Sequence, residues 1–326
     1  MSNRGILLGG MVLTVLAMAC SGASSEGGSS SSSSGNDPGA GASSGQDGGN
    51  GGIGGGSSTN NPGGGGSTNT PGTGGDTNPD PGSTDPGSGT TDRWRPAPGT
   101  SWQIQYTGTF DPSVDVQVFD IDLFDISAQT ITDLHAKGKK VICYFSAGSY
   151  ENWRPDQAQF PAAALGKNLD GWPGEKWLDI RDTKVRTIMK ARLDLAKQHR
   201  CDAVDPDNVD GYRQNSNFNL TAADQLSYNR FLATEAHARG MSILLKNDLD
   251  QIGDLIADFD GAVNEQCMEY DECDTLTPFI SANKAVFHIE YGSSSKVNAV
   301  CPPSNALNFD TLIKNLDLDA TRISCR

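Results

Sequence analysis

The stretch Cys201-Asp-Ala-Val-Asp205-Pro-Asp207-Asn208-Val-Asp210-Gly-Tyr212 sets four carboxylates and an amide around the short apolar pair Ala203-Val204. A helix here would carry Pro206 in its interior, at a cost of about 3 kcal/mol or more. The cheaper reading is a strand that stops at Asp205 and turns. Asp205 and Asp207 then stand in a loop at the carboxyl end of a strand, where alternating α/β folds keep their chemistry. Taken alone, the stretch also fits an acidic surface turn, since turns are rich in Asp, Asn and Gly. Repetition of the pattern along the chain favours the first reading.

Outward from this point, short β-rich runs alternate with helical patterns. Strands are expected at Trp102–Tyr106, Val116–Asp120, Lys140–Phe145, the stretch above, Ser242–Lys246, Gly261–Val263, Lys284–Ile289 and Ala320–Ser324. Helices are expected after Ser127, Asp182 and Thr221, over about Leu249–Ala257, near Phe279–Ala282, and over Asn308–Leu316. The segment from Ser146 to Trp177 is too irregular for one element. Eight strands with helical connections predict a (β/α)8 TIM-like barrel, with a doubly wound open sheet as the alternative. No Gly-x-Gly-x-x-Gly or P-loop follows any strand, which argues against nucleotide binding.

The carboxyl ends of these strands are polar throughout: Gln105 and Tyr106, Asp120 and Asp122, Tyr144 and Ser146, Asp205, Asp207 and Asn208, Lys246 and Asn247, Asn264 and Glu265, Glu290 and Tyr291. Barrel closure would gather them in one cleft. Two carboxylates across a cleft, among amides and aromatics, suit glycoside hydrolysis. Glu265 follows an apolar strand and has no basic neighbour in sequence, which suits a proton-holding acid. The amide donors of the 205–210 loop suit an ionised nucleophile. Trp153, Trp172, Trp177, Tyr144 and Tyr212 are candidates to stack on sugar faces, or to pack. Glu290 is a candidate for substrate contact, or for a structural ion pair with Lys246. Metal-assisted hydrolysis through Asp120, Asp122 and Asp205 is a weaker alternative.

The remainder of the chain bounds where this happens. Residues 1–20 carry Arg4, an apolar run from Ile6 to Ala19, and then Cys20, the pattern of an export signal. Leu16-Ala-Met-Ala-Cys20 resembles a bacterial lipobox with Ala17 where Leu is usual, so lipidation at Cys20 is expected; plain secretion is the alternative. Residues 21–92 hold one large aliphatic residue, Ile53, and no aromatic, and read as a disordered Gly/Ser/Pro-rich linker. Residues 93–326 form the folded domain. The chain's net charge is −15, and the folded part keeps 24 Lys and Arg against 33 Asp and Glu. That field repels nucleic acid and anionic membranes and attracts cations. Membrane contact is expected only through a lipid, and the domain is expected to be monomeric. Six cysteines remain after Cys20, an even number that suits disulfides in an exported domain. Cys267–Cys273 and Cys301–Cys325 are favoured, leaving Cys143 and Cys201 as a third pair or as buried thiols. The spacing suits no zinc site, and no cofactor is expected.

From Trp102 to Tyr291 the chain resembles the endo-α-1,4-polygalactosaminidase family, glycoside hydrolase family 114. The resemblance is carried by WQIQYTGTFD, VFDIDLFD, VICYFSAGSYENWRPD, GWPGEKWLDIRD, DAVDPDNVDGY, LLKND, VNEQCMEYDEC and VFHIEY, in that order. It implies a TIM-like barrel, retaining hydrolysis of α-1,4-linked galactosamine polymers, and catalytic carboxylates at Asp205 or Asp207 and at Glu265. Asp207 is preferred as nucleophile, because the family motif often has Glu at the position of Asp205. Asp120, Asp122, Tyr144, Asn208, Tyr212, Lys246, Asn247, Glu290 and Tyr291 are the expected substrate contacts. De-acetylated galactosamine is cationic, which matches the acidic cleft. A carbohydrate-binding lipoprotein without turnover is the alternative.

Overall fold

The structure, a computed structural model, describes residues 93–326; the expected export signal, Cys20 and the expected linker over 21–92 lie outside the described residues. Within it, eight strands follow in chain order: β1 (Trp102–Gln105), β2 (Val118–Asp122), β3 (Lys140–Ser146), β4 (Ala203–Asp207), β5 (Ser242–Lys246), β6 (Gly261–Glu265), β7 (Val286–Tyr291) and β8 (Asp310–Lys314). Each pairs in parallel with the next. Helices α1 (Ala128–Ala136), α2 (Thr183–His199), α3 (Ala222–Ala238), α4 (Ile252–Leu255), α5 (Thr277–Ser281) and α6 (Val297–Ala306) connect them from β2 onward. The seam between β8 and β1 is closed by side chains and a loop. Trp102 Nε1 donates to the Asp310 carbonyl at 2.7 Å, and Tyr106 N donates to the Leu318 carbonyl at 2.9 Å. The result is a (β/α)8 barrel.

Strand alternation divides the residues between two cores. Ile104, Val118, Ile142, Ala203, Leu244, Val263, Ile289 and Leu312, one from each strand, pack together inside the barrel. Phe119, Val141, Val204, Ile243, Ala262 and Val286 point the other way, into the layer under the helices. The helix starts follow their caps. Asp182 accepts from Lys184 N and Val185 N, and Thr221 forms a capping box with Asp224.

Two sequence expectations are corrected at the C-terminal end. Asn308–Leu316 is not a helix: Asp310–Lys314 is β8, buried along its whole length. A short apolar run buried on both faces carries no period that separates strand from helix. Ala320–Ser324 is not the eighth barrel strand; only Ile323–Ser324 is extended, antiparallel to β8. The helix there is α6, which contains Pro302 and Pro303 and so defeats propensity reasoning. Upstream, the irregular segment contains a three-stranded antiparallel sheet of Ser149–Glu151, Leu165–Asn168 and Glu175–Leu178. Pro206 lies inside β4 and not beyond it. The ladder from β4 to β5 runs only through Ala203 and Val204, so the missing N–H breaks no bond to β5.

Three disulfides brace the barrel: Cys143–Cys201, Cys267–Cys273 and Cys301–Cys325. The first joins β3 to the turn before β4. The second closes the loop that begins two residues after Glu265.

Several carboxyls are buried without a full set of cationic partners. Burial pushes Asp310 up to about 6, Glu175 to about 7 and Asp248 to about 8. Between an ordinary carboxylate pKa and these values, the native state holds protons that the unfolded chain has released. Stability therefore falls as pH climbs through that window. Asp260 is shifted the opposite way by His237 and Arg93, which outweigh its burial, but its contribution is lost only in acid below its unfolded value. The melting temperature is expected to be highest near pH ~5 and lower by about 5 °C or more at pH ~8.5, as read by differential scanning fluorimetry.

Candidate active site

The inward alternation of each strand selects which polar ends converge. Following the interior apolar residues toward the carboxyl ends gives Tyr106, Asp120, Asp122, Tyr144, Asp205, Asp207, Lys246, Glu265 and Tyr291 on the inner side. Gln105, Asn264 and Glu290 fall on the outer side.

Lys246 is the centre of this group. Its Nζ lies 3.2 Å from Asp207 Oδ1 and 3.4 Å from Glu265 Oε2. Those two oxygens are therefore no farther apart than 3.2 Å plus 3.4 Å. Asp207 also accepts from its neighbour Asn208 N at 2.8 Å and from the Tyr144 hydroxyl at 3.2 Å. Glu265 accepts from Asn247 Nδ2 at 3.2 Å and from the Tyr291 hydroxyl. Asn247 is itself fixed, since its Oδ1 receives Glu265 N at 3.0 Å and Asn264 Nδ2 at 3.3 Å.

Burial pulls the Lys246 ammonium down, but Asp207, Glu265 and Asp205 outweigh it and hold it well above its ordinary value. Burial likewise pushes Glu265 up, and Lys246 with the Tyr291 and Asn247 hydrogen bonds overrides it, leaving this carboxyl below its usual range. Glu265 has no basic neighbour in sequence but has one in space, so the expectation drawn from the sequence, that it holds its proton, is corrected for the resting site. Lys246 is far from it in sequence, but β5 and β6 are adjacent and Lys246 aligns with Val263.

A second group holds the β4 backbone in place. Ala147 N and Gly148 N, after β3, donate to the Asp207 carbonyl at 2.9 and 3.0 Å. Asn208, with φ of 60°, donates from Nδ2 to Ser146 Oγ at 3.0 Å. Ser149 Oγ in turn donates to Glu175 Oε2 at 2.6 Å. A Cβ on Gly148 would sit 1.6 Å from the Asn208 carbonyl oxygen. Gly148→Ala must displace the Asp207–Asn208 backbone. It is expected to lower kcat/KM by about 100-fold, the usual consequence of misplacing a reacting group by roughly 1 Å. Steady-state kinetics on a folded variant, judged by its melting curve, checks this.

The other expected site residues are placed as follows. Asp120 and Asp205 are fully buried beneath the group just described. Asp122 forms a two-pronged ion pair with Arg154, at 2.9 and 2.6 Å, and accepts from Phe124 N. With both its oxygens so engaged, it does not join Asp120 and Asp205 as a shared oxygen ligand set. Tyr212 lies on the turn after β4, half-buried, outside the hydrogen-bond network of Asp207 and Glu265; burial, with Asp248 and Asp250, raises its hydroxyl to about 12. Glu290 does not pair with Lys246. From the outer face it accepts from Met268 N at 2.9 Å and meets His288 Nε2 at 3.1 Å, so it supports the loop after β6. Trp153 and Trp172 are exposed. Tyr106 stands beside Gln105 among the polar strand ends of the sequence, and the two-residue period from Trp102 and Ile104 selects Tyr106 for the inner side.

The arrangement is two carboxylates at the mouth of a barrel, spaced by one ammonium and flanked by tyrosines. Comparison with known proteins gives the family. The model of glycoside-hydrolase family GH114 matches residues 83–326. The crystal structure of Aspergillus fumigatus Ega3 in complex with galactosamine is 49% identical, covers 73% of this chain and all of that one, and superposes with a TM-score of 0.70. The glycoside hydrolase domain of PelA from Pseudomonas aeruginosa shares the fold at 11% identity, with a TM-score of 0.56 over 69% of this chain and 98% of that one. No curated protein sequence matches the chain. On the family match and the solved relative together, the chain belongs to glycoside-hydrolase family GH114 and is an O-glycosyl hydrolase built on a (β/α)8 barrel.

Proposed function

We propose that the protein is an endo-acting, retaining hydrolase of α-1,4-linked galactosamine polymers, with Asp207 as nucleophile and Glu265 as general acid and base. The observation that carries the reading is the Lys246 bridge, which keeps an oxygen of each carboxylate within 3.2 and 3.4 Å of one ammonium. Retaining enzymes place their carboxyls about 5–5.5 Å apart, whereas inverting enzymes need about 6.5–9.5 Å to admit a water. A shared lysine favours the shorter spacing. Asp207 sits on a backbone pinned from β3, which suits an atom that must meet C1 in line. Glu265 has a longer side chain and a tyrosine partner, which suits proton transfer to the leaving oxygen and then from water. The galactosamine bound to the 49% identical relative supports an amino-sugar unit. The acidic cleft supports its cationic, de-acetylated form.

Residues 1–20 act in this reading as an export signal ending in a lipidated Cys20, and residues 21–92 as a tether. The test is digestion of acetylated and de-acetylated galactosamine polymers, with mass spectrometry of the products and NMR of the first anomer released. Release of α-anomeric, de-acetylated oligosaccharides is expected. A β-anomeric first product would remove the retaining mechanism, and no release from either polymer would remove the substrate.

Lys246 also sets the pH dependence. A general acid held low loses its proton as pH rises, so kcat/KM should decline from mildly acidic towards alkaline pH. Lys246→Met removes the charge that lowers Glu265. Its alkaline limb is expected to move up by about one pH unit or more, while kcat at the optimum falls. A pH–rate profile with an unmoved limb would show that Lys246 does not control the acid.

A further inference from the structure

Beneath the catalytic pair, two carboxylates are short of hydrogens. Asp120 on β2 and Asp205 on β4 are both 0% exposed. The Tyr106 hydroxyl lies 3.2 Å from Asp120 Oδ1 and 3.2 Å from Asp205 Oδ2. A phenol has one hydrogen and can serve only one of them at a time. The remaining oxygens, Asp120 Oδ2 and Asp205 Oδ1, are buried with no hydrogen-bond partner. Lys246 is the nearest cation, but its close contacts are Asp207 and Glu265. Leaving two bare carboxylates on one phenol hydroxyl in such a place costs far more than leaving one.

We propose that Asp120 and Asp205 hold a single proton between them. Through Tyr106, this carboxyl–carboxylate pair positions Tyr144 and hence Asp207. The proton supplies the missing hydrogen and cuts the charge of the pair from two to one. Tyr106 stacks on Tyr144 with ring centroids 4.2 Å apart. Tyr144 in turn donates to Asp207 Oδ2 at 3.2 Å. Asp205, a catalytic candidate in the sequence, becomes a positioning residue that never meets the sugar. The direction of titration agrees: burial and then Asp205 push Asp120 well above the carboxylate range, and burial raises Asp205 to about 7 despite Lys246. The kinetic part of the test rests on the substrate reading above; the spectroscopic part does not.

Infrared spectra of the intact protein, labelled with carboxyl-¹³C aspartate, read the protonated-carboxyl stretch at neutral pH. The wild type should show a band that disappears equally in Asp120→Asn and in Asp205→Asn. Other protonated aspartates, such as Asp248, stay as a common background. Because an amide supplies a donor and an acceptor where the shared proton lay, both variants should keep kcat within about tenfold. Asp120→Leu supplies neither and should lose about 100-fold in kcat with little change in KM. Loss of the band in one variant alone, or in neither, overturns the shared proton. Asp205→Asn as inactive as Asp207→Asn overturns the positioning role. A wild type inactive on galactosamine polymers while the band behaves as stated would sink the substrate reading and leave the pair intact.

Discussion

Asp207→Asn should reduce kcat by about 10⁴-fold or more, the scale seen when one member of a catalytic set is removed. Asparagine keeps the shape, Asn208 N can still donate to Oδ1, and the Tyr144 hydroxyl can turn to accept from Nδ2, so the loss isolates the missing charge and nucleophile. The fold should be unaffected, because Asp207 is half-buried and Lys246 retains Glu265. Added azide should restore part of the turnover by attacking C1 from the vacated side, giving a β-glycosyl azide. Full activity in Asp207→Asn would remove the nucleophile assignment. An α-azide would place the missing group on the leaving side and reverse the two roles.

Glu265→Gln is the second large effect, and its size should depend on the leaving group. With a polymer substrate the departing sugar oxygen needs a proton, and kcat/KM should fall by about 10³-fold or more. An aryl galactosaminide whose leaving group is already a stable anion needs no proton. Its glycosylation step should slow by less than about tenfold, with the intermediate accumulating as a burst because no base activates water. Equal losses on both substrates would mean that Glu265 is not the acid. The resting structure makes the demand on this residue plain: Lys246, Tyr291 and Asn247 all favour its ionised form, so the proton must be gained before or with substrate. That is the physical reason for the acidic pH preference expected above.

Much of the site was readable from residue order because strands obey a period of two. Once Ala203, Val263 and Ile289 are taken as interior, Asp205, Asp207, Glu265 and Tyr291 follow on the same face. The same rule, applied strictly, would have excluded Glu290 and preferred Tyr106. Collecting every polar strand end, without choosing a face, admits Glu290 and leaves Tyr106 unseparated from Gln105. The missed β8 has a different cause. Asp310–Lys314 is buried on both faces, and the helix before it carries two prolines, so neither pattern nor propensity marked the boundary.

Sequence alone determined the barrel, the linker-like composition of residues 21–92, the family resemblance and the two strand ends that carry Asp207 and Glu265. These are properties of local pattern and of motif order, which are written along the chain. Only the tertiary structure decided that Lys246 joins Asp207 to Glu265, that Arg154 takes Asp122, and that Tyr106 sits between Asp120 and Asp205. Those partners lie on different strands or loops, brought together by barrel closure. The charge state of a buried carboxyl depends on its neighbours in space, and no spacing along the sequence encodes it.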